Sequence, residues 1–165
     1  MKKLNIILMI VLVSIFVMES CANDQIVPMV TDDETQFSAT EIADYLEANI
    51  TVQDYMEALD PEIALNLYNL DAEAVSEIAV YASTGATAEE ITVISVDDEM
   101  GGDVVKAAFD SRIKAQKQGF ANYVPEELVK LGEPVFGEIG NVFIMVICDN
   151  PQEAEQEITN CSERI

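Results

Sequence analysis

The sequence predicts an α+β domain in which a mostly antiparallel four-stranded sheet packs with helices, in the order α-α-β-β-α-α-β-β-α. Two observations support this fold class. Two pairs of strand-like segments rich in β-branched residues are each joined by a connection too short for a parallel crossover. Segments with helical periodicity lie before, between and after these pairs. This alternation of short strand pairs and helices is typical of an α+β architecture.

The first 20 residues have the composition of a secretory signal peptide. Lys2 and Lys3 precede an apolar run of about 15 residues, which is shorter than the roughly 20 residues that span a bilayer as a helix. Cys21 follows this run and resembles the cysteine of a lipobox, whose thiol receives a diacylglycerol. The sequence therefore predicts lipidation of Cys21. We expect the chain to be held on the extracytoplasmic face of the cell membrane, with the membrane as its partner through this anchor.

Two other fates of the leader remain open. In the first, the protein is cleaved after Ala22 and released, since Ser20 and Ala22 satisfy the small-x-small rule. In the second, the leader is retained as a transmembrane anchor. Glu19 departs from the usual lipobox pattern. Residues 21–37 are polar and acidic without periodicity, which predicts a lipid-anchored tether. Residues 38–165 are predicted to form a single domain.

Short helices are predicted in the first third of this domain. Ser38 has capping-box spacing to Glu41 and predicts a helix start. Residues 51–54 offer a weaker cap and predict a second helical segment leading to residue 59. Asp60 and Pro61 form a cap followed by proline at the first helical position, which predicts a helix ending near residue 70.

The first strand pair comprises residues 78–83 and 91–96, which alternate with period two. A polar break follows, and Asp103 is predicted to start a helix that reaches at least Gln118. Residues 125–131 are predicted to form a short helix.

The second strand pair comprises residues 135–139 and 142–148, which flank a Gly140–Asn141 turn. Residues 142–148 are apolar without alternation, which predicts a central strand covered on both faces. Pro151 opens the last predicted helix.

The charge of the chain is strongly negative and unevenly distributed. The formal charge is −23, and residues 21–105 contain 20 acidic side chains and no Lys or Arg. This excess argues against nucleic acid and anionic headgroups as direct partners. Four basic residues lie on one predicted helix, where they either neutralise the acidic body, face solvent, or form a basic docking face. They are Lys106, Arg112, Lys114 and Lys117.

Motifs that indicate catalysis are missing from the sequence. It contains no histidine, no Gly-x-Ser-x-Gly elbow and no phosphate-binding glycine loop. We therefore predict no catalytic residue, no cofactor and no metal site. Glu89 and Glu90 are the carboxylate pair to examine, and we expect one to face solvent and the other to cap backbone amides. The acidic run at residues 97–99 lacks the spacing of an EF-hand loop.

Secretion would allow the remaining cysteines to pair. The helix predicted between them would place their Cα atoms further apart than a disulfide tolerates. We expect Cys148 to be a buried, unreactive thiol and Cys161 to be a free residue of the tail.

Several segments resemble a known family. They are residues 78–83, 85–86, 88–91, Tyr123 with 125–128, 141–143 and 149–150. Together they resemble the DUF4358 family, a domain of unknown function found mostly in predicted lipoproteins of Gram-positive bacteria. The resemblance covers about residues 60–158. It implies surface anchoring, in agreement with Cys21, and supplies no activity, ligand or catalytic residue.

These observations favour a lipid-anchored cell-envelope protein that acts as a non-enzymatic binding module for an unknown envelope protein or small ligand. One alternative is an extracytoplasmic enzyme that uses carboxylates, since glycosidase chemistry needs no histidine. The other is weak cation binding by the acidic clusters.

Overall fold

The computed structural model describes residues 38–97 and 99–164 of the chain. These residues contain five α-helices, namely α1 (Ala39–Asn49), α2 (Pro61–Tyr68), α3 (Glu99–Phe120), α4 (Leu128–Gly132) and α5 (Pro151–Ser162). They also contain five strands, namely β1 (Met56–Ala58), β2 (Glu77–Ser83), β3 (Glu90–Ser95), β4 (Val135–Ile139) and β5 (Val142–Ile147). Short 3₁₀ turns cover Ala72–Ala74 and Pro125–Glu127. The α+β class is confirmed.

The five strands form one sheet in the order β1-β2-β3-β5-β4, and every neighbouring pair is antiparallel. Val93 of β3 lies opposite Ala79 on one side and Ile144 on the other, which fixes the register at the centre. All residues of β3 and β5 are buried. The prediction that residues 142–148 include a central strand covered on both faces is therefore confirmed.

Helices cover both faces of the sheet. On one face, Leu46 of α1 and Ile158 of α5 belong to a core that includes Val93 of the sheet. On the other face, Tyr68 of α2 and Phe109 of α3 join a second core. This arrangement gives three layers. It explains why β5 lacks polar alternation, since both of its faces meet apolar side chains of the two cores.

The sheet has five strands where the sequence predicted four, and the element order differs accordingly. Residues 51–59 do not form the predicted helical segment, because the backbone N–H groups of Gln53 and Asp54 donate to the Glu89 carboxylate. Met56 then lies opposite Ser83, so that β1 extends the sheet. Three residues are too few to show the alternation that predicts a strand.

Helix α3 begins at Glu99, four residues before the predicted start at Asp103. The glycines that suggested a polar break instead let the first turn approach the sheet. A Cβ atom on Gly102 would lie 2.6 Å from Cζ of Phe143, so only glycine fits here without a shift. The helix ends at Phe120, in agreement with the prediction that it reaches at least Gln118.

Helix α1 begins where predicted, with the Ser38 hydroxyl accepting a hydrogen bond from the Glu41 N–H at 3.3 Å. A carboxylate from the sheet also binds this helix end. Glu77 of β2 accepts hydrogen bonds from the backbone N–H of Ala39 at 2.8 Å and of Thr40 at 3.1 Å. The sheet therefore fixes the position at which α1 starts.

No helix in residues 38–97 and 99–164 is long and apolar enough to cross a membrane.

Candidate functional site

Some residues that the sequence singled out lie outside the described part of the chain. The signal peptide (residues 1–20), the tether (residues 21–37) and Cys21 belong to this group. Asp98 of the acidic run does so too. The neighbouring Asp97 carboxylate accepts a hydrogen bond from the Ser76 hydroxyl at 2.5 Å. In the described residues, no group of three or more His, Cys, Asp or Glu side chains could hold a metal ion.

Glu89 and Glu90 are both buried, each with a relative exposure of 1%. The expectation that one of them faces solvent is wrong. Consecutive side chains at the start of a strand point to opposite faces of the sheet, and both faces are covered here. The two carboxylates therefore enter different layers of the molecule and do not meet in one cleft.

Glu89 caps backbone amides, as expected. Its carboxylate accepts hydrogen bonds from the N–H groups of Gln53 at 2.9 Å and Asp54 at 3.0 Å. The Thr87 hydroxyl donates to it at 3.1 Å, and Lys130 Nζ lies 3.4 Å away. Fixed donors therefore surround this carboxylate.

Lys130 is buried among three carboxylates. Its Nζ atom lies 3.4 Å from Glu89, 3.2 Å from Glu127 and 3.3 Å from Asp149. Burial acts to lower the pKa of Lys130, but the hydrogen bond with Glu127 and the charge of Glu89 outweigh it and raise that pKa. The ammonium group therefore stays charged and joins α4 to the ends of the central strands.

Glu90 is neutralised on the other face of the sheet. Arg112 of α3 donates from Nε to both carboxylate oxygens at 3.1 Å, and from its terminal nitrogen at 2.5 Å. Gln116 donates from Nε2 at 2.9 Å, and the Tyr68 hydroxyl donates a short hydrogen bond. Burial, followed by the charge of Glu90, raises the pKa of Tyr68 well above its usual value. Neither glutamate has the free, solvent-facing oxygen that general acid–base catalysis needs.

The basic residues of α3 fall into two groups. Lys106 and Arg112 form ion pairs with Glu138 and Glu90. Lys114 and Lys117 are exposed. These positions agree with neutralisation and solvation, and they give no support to a basic docking face.

Both cysteines in the described residues are free and buried. The predictions of a buried thiol at Cys148 and of a free thiol at Cys161 are confirmed. The placement of Cys161 in a tail is wrong, because α5 continues to Ser162 and turns this side chain inward. Burial raises the pKa of both thiols.

A groove lies between α3 and the β4–β5 hairpin. It consists of two adjoining cavities of about 410 and 450 Å³. Lys106, Glu138 and Phe143 line both cavities. We call this combined feature the hairpin groove. Cavities of this size fall in the range that takes small molecules or side chains.

Aromatic rings form the floor of the hairpin groove. The ring of Phe136 stacks on that of Phe109, with centroids 6.1 Å apart and an interplanar angle of 23°. Phe136 is 52% exposed, so an apolar ring of β4 remains open to a ligand. Lys106 Nζ lies 5.1 Å from the centre of the Phe143 ring and 3.0 Å from the Glu138 carboxylate.

Carboxylates dominate the rim of the groove. Among the residues that the structure describes, its lining contains one ammonium group, that of Lys106, and four carboxylates. The carboxylates belong to Asp97, Asp103, Asp110 and Glu138. An apolar floor with an acidic rim favours a ligand that is apolar at one point and cationic at another.

The hairpin groove was not predicted from the sequence. The sequence predicted a helix that includes Phe109 and a strand at residues 135–139, without a contact between them. One available indication was the alternation of Phe136, Gly137 and Glu138, which puts an aromatic ring and a carboxylate on the same face. Its pairing with α3 depends on packing between segments 27 residues apart, from Phe109 to Phe136, which no local pattern reveals.

A family model for the domain of unknown function DUF4358 matches residues 48–148. This range includes the five strands, the buried ion pairs of Glu89 and Glu90, and the hairpin groove. No curated protein and no solved structure matches the chain. Because the match covers more than half of the sequence, the chain belongs to the DUF4358 family.

Proposed function

We propose that this protein is a lipid-anchored binding module of the cell envelope, whose hairpin groove takes an envelope protein or a small ligand. The observation that carries the binding role is the half-exposed ring of Phe136, held by stacking on Phe109. An exposed aromatic side chain on a rigid strand provides apolar contact area with little loss of conformational entropy.

A binding role is better supported than carboxylate catalysis. Glu89 and Glu90 are occupied by fixed donors on opposite faces of the sheet. The carboxylates around the hairpin groove are exposed, and Glu138 is paired with Lys106. These carboxylates are open to solvent, whereas a carboxylic acid that acts in catalysis typically lies in a buried pocket.

Site-specific photo-crosslinking in the envelope tests the binding role. Phe136 is replaced by p-benzoylphenylalanine in the full-length chain in its own membrane, and Tyr123 is replaced in the control, because its ring is also exposed but lies outside the groove. We expect a discrete adduct from position 136 that position 123 does not give. The same pattern at both positions, or no adduct at position 136, would overturn the binding role.

The anchoring part of the proposal rests on Cys21 and on the short apolar leader before it. We expect the full-length chain to incorporate labelled fatty acid and to remain with membranes. The Cys21→Ser variant should lose the label. An unlabelled wild-type chain in the membrane would point to a retained transmembrane anchor. An unlabelled chain in the medium that begins at Asn23 would point to cleavage after Ala22.

A further inference from the structure

The outer edge of β4 is unpaired within the described residues, where β4 neighbours only β5. Ile139 lies opposite Val142 across a two-residue turn, and the φ angle of Gly140 is 58°. In such a hairpin the closing pair exchanges hydrogen bonds, as does every second pair after it. Phe136 and Glu138 occupy the intervening positions, so their backbone N–H and C=O groups face away from β5.

The side chains of these two residues line the hairpin groove. The Phe136 ring stacks on Phe109, and the Glu138 carboxylate pairs with Lys106. The free hydrogen-bonding edge and the groove therefore lie along the same two residues. A strand laid against this edge would place its alternate side chains over the groove.

We propose that the hairpin groove binds an extended, cationic segment of a partner protein, which adds a strand antiparallel to β4. This inference rests on the proposed binding role and names the class of partner. The main-chain groups of Phe136 and Glu138 supply the pairing. The groove supplies selectivity for the side chains that face it.

The register specifies a short motif in the partner. The partner residue opposite Glu138 is Lys or Arg, and the residue opposite Phe136 is aromatic or aliphatic, because cross-strand pairs of these kinds are favourable. The partner runs antiparallel to β4, so its basic residue comes first. The motif is therefore basic-x-apolar, with both side chains on the face that meets α3.

Charge complementarity decides in favour of a cationic partner. Asp103 and Asp110 flank Lys106 on α3, and Asp97 lies at the end of the groove beside Asn141. The rim thus retains an excess of carboxylates even though Lys106 is paired with Glu138. The whole chain, at −23, would also steer cations toward it and repel acidic segments.

Peptide binding to the full-length chain carrying Cys21→Ser tests this inference by fluorescence anisotropy. The probe is a labelled octapeptide of Ser, Thr and Val that contains one Lys-Thr-Phe motif. Three matched peptides carry Phe-Thr-Lys, Lys-Thr-Thr or Glu-Thr-Phe instead. A fifth peptide keeps the Lys-Thr-Phe motif but is N-methylated at alternate backbone nitrogens, which removes strand pairing and leaves the side chains in place.

We expect the Lys-Thr-Phe peptide to bind most tightly and N-methylation to weaken binding about tenfold or more, because main-chain hydrogen bonds are lost. Glu138→Lys should weaken binding of the Lys-Thr-Phe peptide about tenfold, because two like charges then face each other across the strands. It should strengthen binding of the Glu-Thr-Phe peptide, whose glutamate then faces a lysine. Glu155→Lys is the matched control, because it changes the net charge equally at an exposed site on α5. It should leave the preference between these two peptides unchanged.

Several outcomes would overturn the inference. Equal binding of the N-methylated peptide would exclude strand addition, and equal binding of the Phe-Thr-Lys peptide would exclude the antiparallel register. Equal binding of the Lys-Thr-Thr peptide would show that charge alone determines binding and would exclude the apolar contact with Phe136. Absence of binding by any peptide would also overturn it. If crosslinking at position 136 still gave its discrete adduct, the binding role itself would stand with a different ligand.

Discussion

Glu90 is a buried carboxylate in a layer of the molecule whose other buried side chains are mostly apolar. Removing a carboxylate from water costs several kcal/mol, and this cost is offset only where well-placed donors meet it. Arg112 reaches Glu90 with two nitrogens, and Gln116 and Tyr68 supply further donors. The cost of burying Glu90 is therefore offset by all of these donors together, and the ion pair with Arg112 alone does not offset it.

This completeness predicts strongly non-additive substitutions. Glu90→Gln and Arg112→Met should each lower the free energy of unfolding by about 3–5 kcal/mol, because each leaves an uncompensated buried group. The double variant should be less destabilised than the sum of the two, because both charges are then absent. Urea unfolding of the full-length chain carrying Cys21→Ser measures all three.

Lys114→Met is the control for the Glu90–Arg112 pair, since this exposed lysine lies on the same helix. It should change the free energy of unfolding by no more than about 0.5 kcal/mol. Additive effects in the double variant would contradict a coupled pair. If a single variant fails to fold, Arg112→Lys, which keeps the charge and loses the paired geometry, serves as an intermediate step.

At the scale of elements, the start of α1 depends on a residue of β2. Burial acts to raise the pKa of Glu77, but hydrogen bonds from Thr40, from the Ala39 N–H and from Ser38 outweigh it and lower that pKa. The carboxylate also lies at the positive end of the helix dipole. A lowered pKa means that the folded state binds the proton less tightly than the unfolded chain does. Glu77 therefore stabilises the fold above its unfolded-state pKa, and this contribution is lost as the pH falls through the folded-state pKa.

Glu77→Gln should accordingly lower the free energy of unfolding by about 1 kcal/mol at neutral pH, a value typical of a lost helix cap. The difference from wild type should shrink as the pH falls below about 5, where the wild-type carboxylate begins to take up its proton in the unfolded chain. Urea unfolding at a series of pH values measures this. Glu73→Gln, at an exposed residue nearby, should show no such trend. A difference that grows on acidification would show that Glu77 has the opposite role.

Two glycines of α3 make a matched pair for a second test at this scale. A Cβ on Gly102 would meet the Phe143 ring at 2.6 Å, whereas Gly119 has nothing within 4 Å. Gly119→Ala should raise the free energy of unfolding by about 0.5–1 kcal/mol through helix propensity. Gly102→Ala should lower it by about 1–3 kcal/mol, because overpacking outweighs the same gain. Thermal and urea unfolding compare them, and equal effects would mean that Phe143 moves aside freely.

The elements that the sequence predicted correctly are those whose cues are local. Ser38, Pro61 and Pro151 mark helix starts by their own chemistry, and Gly140 marks a turn. Strand β1 was missed because a distant carboxylate, Glu89, binds the backbone that precedes it. The early start of α3 was missed because adjacent glycines in a sequence suggest a loop. In the fold they allow the helix to approach the sheet closely.

At the scale of the whole molecule, the same distinction separates what could be predicted of the candidate site. Composition excluded histidine-based chemistry and indicated an acidic surface. The hairpin groove needed the packing of α3 against β4, and the roles of Glu89 and Glu90 needed Lys130 and Arg112, which lie 41 and 22 residues away. The candidate site depends on contacts between elements, whereas the sequence pattern predicts each element by itself.

The large negative charge of the chain leads to the last prediction. Like charges repel within a compact fold, and they are relieved in the expanded unfolded chain, so a charge of −23 lowers the free energy of unfolding. Salt screens this repulsion, since the Debye length falls from about 30 Å at 0.01 M to about 3 Å at 1 M. The free energy of unfolding should therefore rise by about 1 kcal/mol across this range, a size typical of surface electrostatics.

Urea, which is uncharged, is the suitable denaturant for this measurement. A triple variant, Glu57→Gln, Glu73→Gln and Glu155→Gln, removes three exposed charges and should rise less steeply with salt, starting from a higher value. The buried Glu90–Arg112 pair is screened little, so it should not mask the trend. A free energy of unfolding that falls with salt would instead mean that attractive surface pairs outweigh the repulsion. The charged surface would then stabilise the fold, and a cationic partner would not be expected to raise the free energy of unfolding by reducing repulsion.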